Sequence, residues 1–178
     1  AGGGGVQRWV KFVKYLESYG WLPVVFTAKN PDYPILDLSL GEDVPVNVEV
    51  LTCPIVEPYG MYKRLFGKKK NENIDPNFLS QGKKLNWKDK IAVWIRGNLF
   101  IPDARFLWIK PSVSFLSKYL SHHQVDAVIS TGPPHSCHLI GYEINKKFRM
   151  PWIVDYRDPW TQIDYFNDLG LTTWSKKR

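Results

Sequence analysis

Apolar residues recur at two different spacings along this chain, and the changes of spacing mark its elements. Val6, Trp9, Val10, Phe12, Val13 and Leu16 fall three and four residues apart, which predicts a helix over 6–19 stopped at Gly20. Residues 21–27 form a compact apolar run and 48–52 a shorter one, each the length of a buried strand. Between them, 28–47 holds Pro31, Pro34 and Pro45 without a period and reads as loop. Residues 53–86 are irregular, with one short helix over 59–66. Trp87, Ile91, Trp94 and Ile95 share a helical face over 87–99, 100–105 is a turn, and 107–120 is a further helix with Pro111 near its first turn. Strand, helix and strand then follow at 125–130, 135–148 and 151–156, and the tail from Arg157 is loop with one helical turn at most.

That succession predicts an α/β fold, an open and mostly parallel sheet with helices on both faces, in one domain over 1–178. Its most informative part is the end. Val128-Ile-Ser-Thr-Gly-Pro-Pro-His135-Ser-Cys-His138 and Trp152-Ile-Val-Asp155-Tyr-Arg157-Asp158-Pro-Trp160 are β-branched runs that stop abruptly in Gly, Pro, His, Asp or Arg. With a helix-length segment between them they form a βαβ unit, and in such sheets ligands bind beyond the carboxyl ends of the strands.

Composition narrows the function less than the pattern does. A chain of 178 residues that is 44% hydrophobic, with 8 Trp, 9 Tyr and 9 Phe, buries a core and is not disordered. Its net charge of +7 suits an anionic partner: nucleic acid, anionic lipid or a phosphorylated substrate. No RNP, KH or zinc-finger signature is present, which argues against nucleic acid. Cys53 and Cys137 form no CxxC or zinc pattern and read as reduced thiols of a cytoplasmic protein. No apolar run reaches the roughly 20 residues of a membrane span, and no signal peptide is visible.

Four constellations can carry chemistry. The first is Ala1-Gly2-Gly3-Gly4-Gly5 leading into a helix, with Arg8 one turn in. It is either a phosphate loop at a helix N-terminus or a flexible linker. A phosphate loop ordinarily follows a strand, so the first strand is expected to precede this sequence; the C-terminus also reads as cut. The second is Thr131 to His138, where His135 or Ser136 opens the helix and His138 is either a ligand contact or a residue packed under the loop. The third is Asp155 to Trp160, in which Arg157 either pairs with Asp155 or Asp158, or contacts a phosphate or sugar hydroxyl. The fourth interleaves Tyr62, Lys63, Arg64, Phe66, Lys68, Lys69, Lys70, Trp87, Lys88, Trp94, Arg96, Phe100, Trp108 and Lys110. This is either a surface for anionic lipid headgroups or an ordinary solvated face with Trp in the core.

Taken in order, Gly2-Gly-Gly-Gly-Val6-Gln-Arg8, Phe100-Ile-Pro-Asp-Ala-Arg105, Ser130-Thr-Gly-Pro-Pro-His135 and Asp155-Tyr-Arg-Asp-Pro-Trp160 resemble the N-terminal, acceptor-side half of bacterial group 1 (family 4) glycosyltransferases. The resemblance spans nearly the whole chain. It implies one Rossmann-like half of a GT-B fold, lacking its first strand and the C-terminal donor domain. It implies retaining, metal-independent transfer of a sugar from a nucleotide-sugar, which is a substrate and not a cofactor, to a cell-envelope glycan or lipid-linked acceptor. By position it places Gly3, Gly4, Gly5 and Arg8 at the donor diphosphate and Arg157, Asp158 and His135 at the reacting centre. Asp103, Arg105, His138, Asp155 and Trp160 fall on the acceptor side. Arg157 stands where many relatives carry His, which suits it to stabilising the departing phosphate charge. Since relatives often act on lipid-linked acceptors at the inner face of the plasma membrane, residues 59–100, within a basic-aromatic excursion at about 53–105, are expected to dock there.

Two other classes compete. A nucleotide- or NAD-binding Rossmann domain of another enzyme predicts an acid ending the second strand, about 20 residues past the glycines, but that strand ends in Thr27-Ala-Lys29 with no acid until Asp32, which counts against NAD. A non-catalytic nucleotide- or membrane-binding module is the remaining alternative, and it does not require polar clusters at two strand ends.

Overall fold

The computed structural model describes residues 4–31, 37–56, 91, 94–95, 97–158 and 170–177. The chain divides into two compact units, Ala1–Ile55 and Val56–Arg178.

In the first unit, helix α1 spans Gly4–Leu16 and passes into a 3₁₀ turn at Glu17–Tyr19. Gly20 closes it in the left-handed region (φ 81°), which glycine adopts without a Cβ penalty, and its N–H donates to the Glu17 carbonyl at 3.0 Å. The helix begins two residues earlier than its apolar period predicts, so Gly4 and Gly5 are its first turn and not a loop before it. Strands β1 (Val24–Lys29) and β2 (Glu49–Pro54) pair in parallel, with Val24 opposite Glu49 and Ala28 opposite Cys53, the two residues that both strands bury. β1 starts later than expected because Pro23 has no N–H to give a ladder. It ends at Asn30, whose positive φ (53°) turns the chain away. Lys11 and Lys14 of α1 both reach Asp43, at 2.7 and 2.6 Å. These two cations hold Asp43 down to a pKa of about 2.

The second unit contains the βαβ motif. A 3₁₀ turn at Phe106–Trp108 runs into α2 (Ile109–Leu120), followed by β3 (Val128–Gly132), α3 (Ser136–Phe148) and β4 (Trp152–Tyr156). β3 and β4 are parallel, with Val128 opposite Trp152 and Gly132 opposite Tyr156. Helix α3 packs on β3 and against α2, burying Ile140 and Ile144, while Trp108 is buried before α2. Arg149 ends α3 in the left-handed region (φ 54°), and Pro151 prevents continuation. One strand face buries Ser130 and Gly132 against the helix; on the other, the paired Ile129 and Ile153 are exposed.

The α/β class with parallel strands is therefore observed. The strands expected in one open sheet are described as two parallel pairs, one in each unit. Of the helix expected over 87–99, the described residues 91, 94–95 and 97–99 are helical. Asn98 of this segment is buried and holds the end of the chain. It donates to the carbonyls of Trp94 (2.9 Å) and Gly170 (3.2 Å) and accepts from the Thr172 N–H (2.8 Å) and the Ser175 hydroxyl (2.7 Å). The last helical turn, α4 (Thr173–Lys176), is capped by the Thr172 hydroxyl. Among the described residues, no helix is long and apolar enough to cross a membrane. The short helix expected over 59–66 and most of the basic-aromatic stretch lie outside the described residues.

Candidate functional site

The carboxyl ends of β3 and β4, the Gly132–His135 loop and the start of α3 carry most of the polar residues that the sequence singles out. Their arrangement follows from three tethers.

The first comes from the 100–105 turn. One Asp103 oxygen accepts the Ser136 backbone N–H at 2.8 Å; the other accepts the Ser136 hydroxyl at 2.6 Å. A carboxylate at the mouth of a 13-residue helix satisfies an N–H that has no intrahelical partner and faces the positive end of the helix dipole. Ser136, a candidate N-cap from the sequence, is instead the first helical residue; His135 is the N-cap and makes no side-chain capping bond. Asp103 also accepts the Arg105 N–H at 2.8 Å, which fixes its own turn.

The second tether comes from Arg157. Its backbone N–H and its Nε donate to the Gly132 carbonyl, at 3.1 and 3.2 Å, and its Nη2 donates to the Pro133 carbonyl. Of the two ion pairs the sequence allows, neither forms: the guanidinium grips the loop backbone, and Asp155 accepts from the Thr131 hydroxyl at 2.8 Å across the strand pair. Two of the five guanidinium N–H donors are used in this way, which leaves the others for a ligand.

The third tether is internal. His138 is 2% exposed, so it lies behind the loop and not on its surface. Its Nδ1 is 2.9 Å from the Ser130 hydroxyl, which also accepts from the Trp152 indole at 2.9 Å. The Tyr156 ring packs on His138 at 4.4 Å, and His135 lies 5.7 Å from His138. Gly132 is required here because a Cβ would fall 2.5 Å from His138 Nε2.

Burial pushes the pKa of His135 below its ordinary value; Asp103 and Asp158 oppose that shift and Arg157 assists it. Burial lowers His138 as well, aided by His135 and Arg157. Burial beside Asp103 raises the Cys137 thiol to about 11. Both imidazoles are thus neutral near pH 7 and Cys137 is protonated, which removes it as a nucleophile.

The structure therefore brings Asp103, Arg105, His135, His138, Asp155, Arg157 and Asp158 to one strand-end cluster, with Tyr156 and Asp158 exposed and Arg157 half-buried. Gly4, Gly5 and Arg8 belong to the other unit. Gly3 and Trp160 lie outside the described residues. Sequence reasoning placed Thr131 and Tyr156 within its motifs without a role and missed Ser130 and Trp152 as members of the cluster. The available signal was strand alternation: Ser130 and Gly132 share a face, as do Thr131 and Asp155 in register. Among the described residues no group of three His, Cys, Asp or Glu side chains is placed to hold a metal ion.

Fold and site together define an α/β protein with a polar cluster at the carboxyl ends of a parallel strand pair. Comparison with protein-family models, with curated proteins and with solved structures finds no match to this chain.

Proposed function

We propose that this chain is the acceptor-side, Rossmann-like half of a retaining GT-B glycosyltransferase of the hexosyltransferase type. It would move a sugar from a nucleotide-sugar to a cell-envelope glycan or lipid-linked acceptor at the cytoplasmic face of the membrane. The observation that carries this reading is the meeting of three sequence-distant motifs. Arg157 from 155–160 bonds the carbonyls of Gly132 and Pro133 in the 130–135 motif, and Asp103 from 100–105 bonds Ser136, the residue that follows it, at the strand ends, the position where α/β folds bind ligands.

In this reading Arg157 serves the departing phosphate. Its charge is pre-oriented by two loop carbonyls, so it need not reorganise as negative charge develops. Asp158 and the half-buried, neutral His135 border the same position and would accept and donate hydrogen bonds to sugar hydroxyls. Asp103, Arg105 and Asp155 shape the acceptor side by holding the loops. The resemblance would assign Gly3, Gly4, Gly5 and Arg8 to the donor diphosphate and residues 59–100 to an anionic membrane surface. Transfer would need no bound metal.

The test uses the full natural gene product, radiolabelled nucleotide-sugars and a bacterial membrane extract as acceptor. The expected result is transfer of label to a lipid or glycan fraction, with Arg157→Ala lowering kcat by a factor on the order of 10²–10³ while the protein remains folded. No transfer from any donor overturns the enzyme reading. Nucleotide or liposome binding without transfer would establish the non-catalytic module instead.

A further inference from the structure

The buried His138 is not simply packed; its hydrogen-bond partners count its protons. Ser130 is 6% exposed and has one hydroxyl hydrogen. The Trp152 indole can only donate, so Ser130 accepts from it, and the one acceptor that Ser130 reaches among the described residues is His138 Nδ1. With Nδ1 accepting, the ring carries its proton on Nε2, and of the Trp152, Ser130 and His138 polar groups Nε2–H alone is left without a partner. The opposite tautomer would leave two: the Ser130 hydroxyl hydrogen and the Nε2 lone pair. Nε2 is also the atom that occupies the space of the missing Gly132 Cβ, so the ring is the floor of the loop.

We infer that His138 is a positioning residue, held as the neutral Nε2–H tautomer by the Trp152–Ser130 pair, and that protonation of its Nδ1 releases the Gly132–His135 loop. A proton on Nδ1 makes Ser130 accept from both rings, which leaves its hydroxyl hydrogen and the Nε2–H both without a partner inside a packed site. The groups facing the ring from each neighbouring element set the balance. His135 at the start of α3 and Arg157 after β4 oppose a cation there; Asp155 on β4 and Asp103 of the 100–105 turn favour one, and Tyr156 covers the ring face. Desolvation outweighs the two carboxylates. The protonated ring must move toward water, and it cannot do so without displacing Gly132. Because the folded-state value lies below the unfolded one, unfolded chain binds more protons between them. Stability is then full above the unfolded value of 6.5 and is lost as pH falls toward the folded one.

The experiment is a pH titration of the ¹⁵N-labelled full chain, reading imidazole nitrogen shifts by long-range proton correlation, with amide exchange across 131–136 in parallel. The expected result is the Nε2–H tautomer, a midpoint below 6.5 and loop exchange that accelerates along the same curve. Ser130→Ala should convert His138 to a tautomer mixture, a signature that a purely space-filling role would not move. Should that variant fail to fold, Ser130→Cys, whose S–H is a weak donor, should shift the ring toward the same mixture. The Nδ1–H tautomer, a midpoint at or above 6.5, or loop exchange indifferent to the titration overturns the inference. It rests on the proposed function only in treating the loop as ligand-bearing. The tautomer is read on free protein, so a missing transferase activity and a wrong tautomer are separate results.

Discussion

The Trp152 indole on β4 donates to the Ser130 hydroxyl on β3 at 2.9 Å, that hydroxyl also meets His138 Nδ1, and each of the two rings is accommodated by a glycine of the same βαβ unit. A Cβ on Gly141 of α3 would fall 2.5 Å from Trp152 Nε1, as one on Gly132 would from His138 Nε2. Two heterocycles thus occupy the space that two side chains vacate, and Ser130 links them. The strand pair and helix are interlocked through polar atoms as well as through Ile140 and Ile144.

The sign of a Gly141→Ala change tests this arrangement. In a helix interior, alanine is ordinarily better than glycine by roughly 0.5–1 kcal/mol. Here the methyl meets the indole, and overpacking costs about 1–3 kcal/mol. Net destabilisation is expected for Gly141→Ala, and larger destabilisation for Gly132→Ala, which has no helical gain to offset the clash. Urea unfolding midpoints at constant m-value measure both. A stabilised Gly141→Ala variant would show that Trp152 does not lie over that glycine.

Asp103→Ala removes the carboxylate at the α3 N-terminus and strands the Ser136 hydroxyl, which is 0% exposed. Loss of a cap costs about 0.5–2 kcal/mol, and a buried hydroxyl without its acceptor adds to it. Thermal unfolding should show Asp103→Asn between wild type and Asp103→Ala, since an amide oxygen still accepts but lacks charge. Equal stability of all three would remove Asp103 from the helix mouth.

Asn98→Ala should loosen the end of the chain selectively. The Thr172 amide loses its acceptor, and the carbonyls of Trp94 and Gly170 lose a donor. The expected cost is about 1–3 kcal/mol. Amide exchange at Thr172 and Ser175 should accelerate while that of α3 stays slow. Asn98→Asp, which keeps the two accepted bonds and loses the two donated ones, should lie between. Uniform acceleration throughout the second unit would mean Asn98 supports the whole unit and not the tail alone.

Cys137 should be a poor nucleophile. With its thiol raised from 9.0 to about 11, its thiolate fraction at pH 8 is roughly a hundredfold below that of an ordinary cysteine. Iodoacetamide labelling followed by peptide mass spectrometry should find Cys137 alkylated more slowly by about that factor. Labelling at the rate of a free thiol would place Cys137 outside the desolvated site.

The βαβ unit was legible because it is written in local patterns: an apolar run, a Gly-Pro-Pro break, a helical period and a second run. Its predicted elements fall within three residues of the observed ones; in the other unit, Pro23 explains the displaced start of β1. The candidate cluster was legible in part, since strand ends concentrate polar residues and parallel register aligns Thr131 with Asp155 and Gly132 with Tyr156.

Pairing between polar groups was not legible. Asp103 reads as a ligand contact until it is found capping a helix 33 residues away. Arg157 reads as half of an ion pair until its donors are found on the carbonyls of Gly132 and Pro133. Ser130 is signalled only by strand alternation, and nothing in the order of residues pairs it with Trp152. Periodicity and turn chemistry act between neighbours in the chain, so composition and order suffice to read them. A hydrogen bond is decided by distances of a few tenths of an ångström between residues tens of positions apart, and only packing of the strands against α3 brings those atoms together.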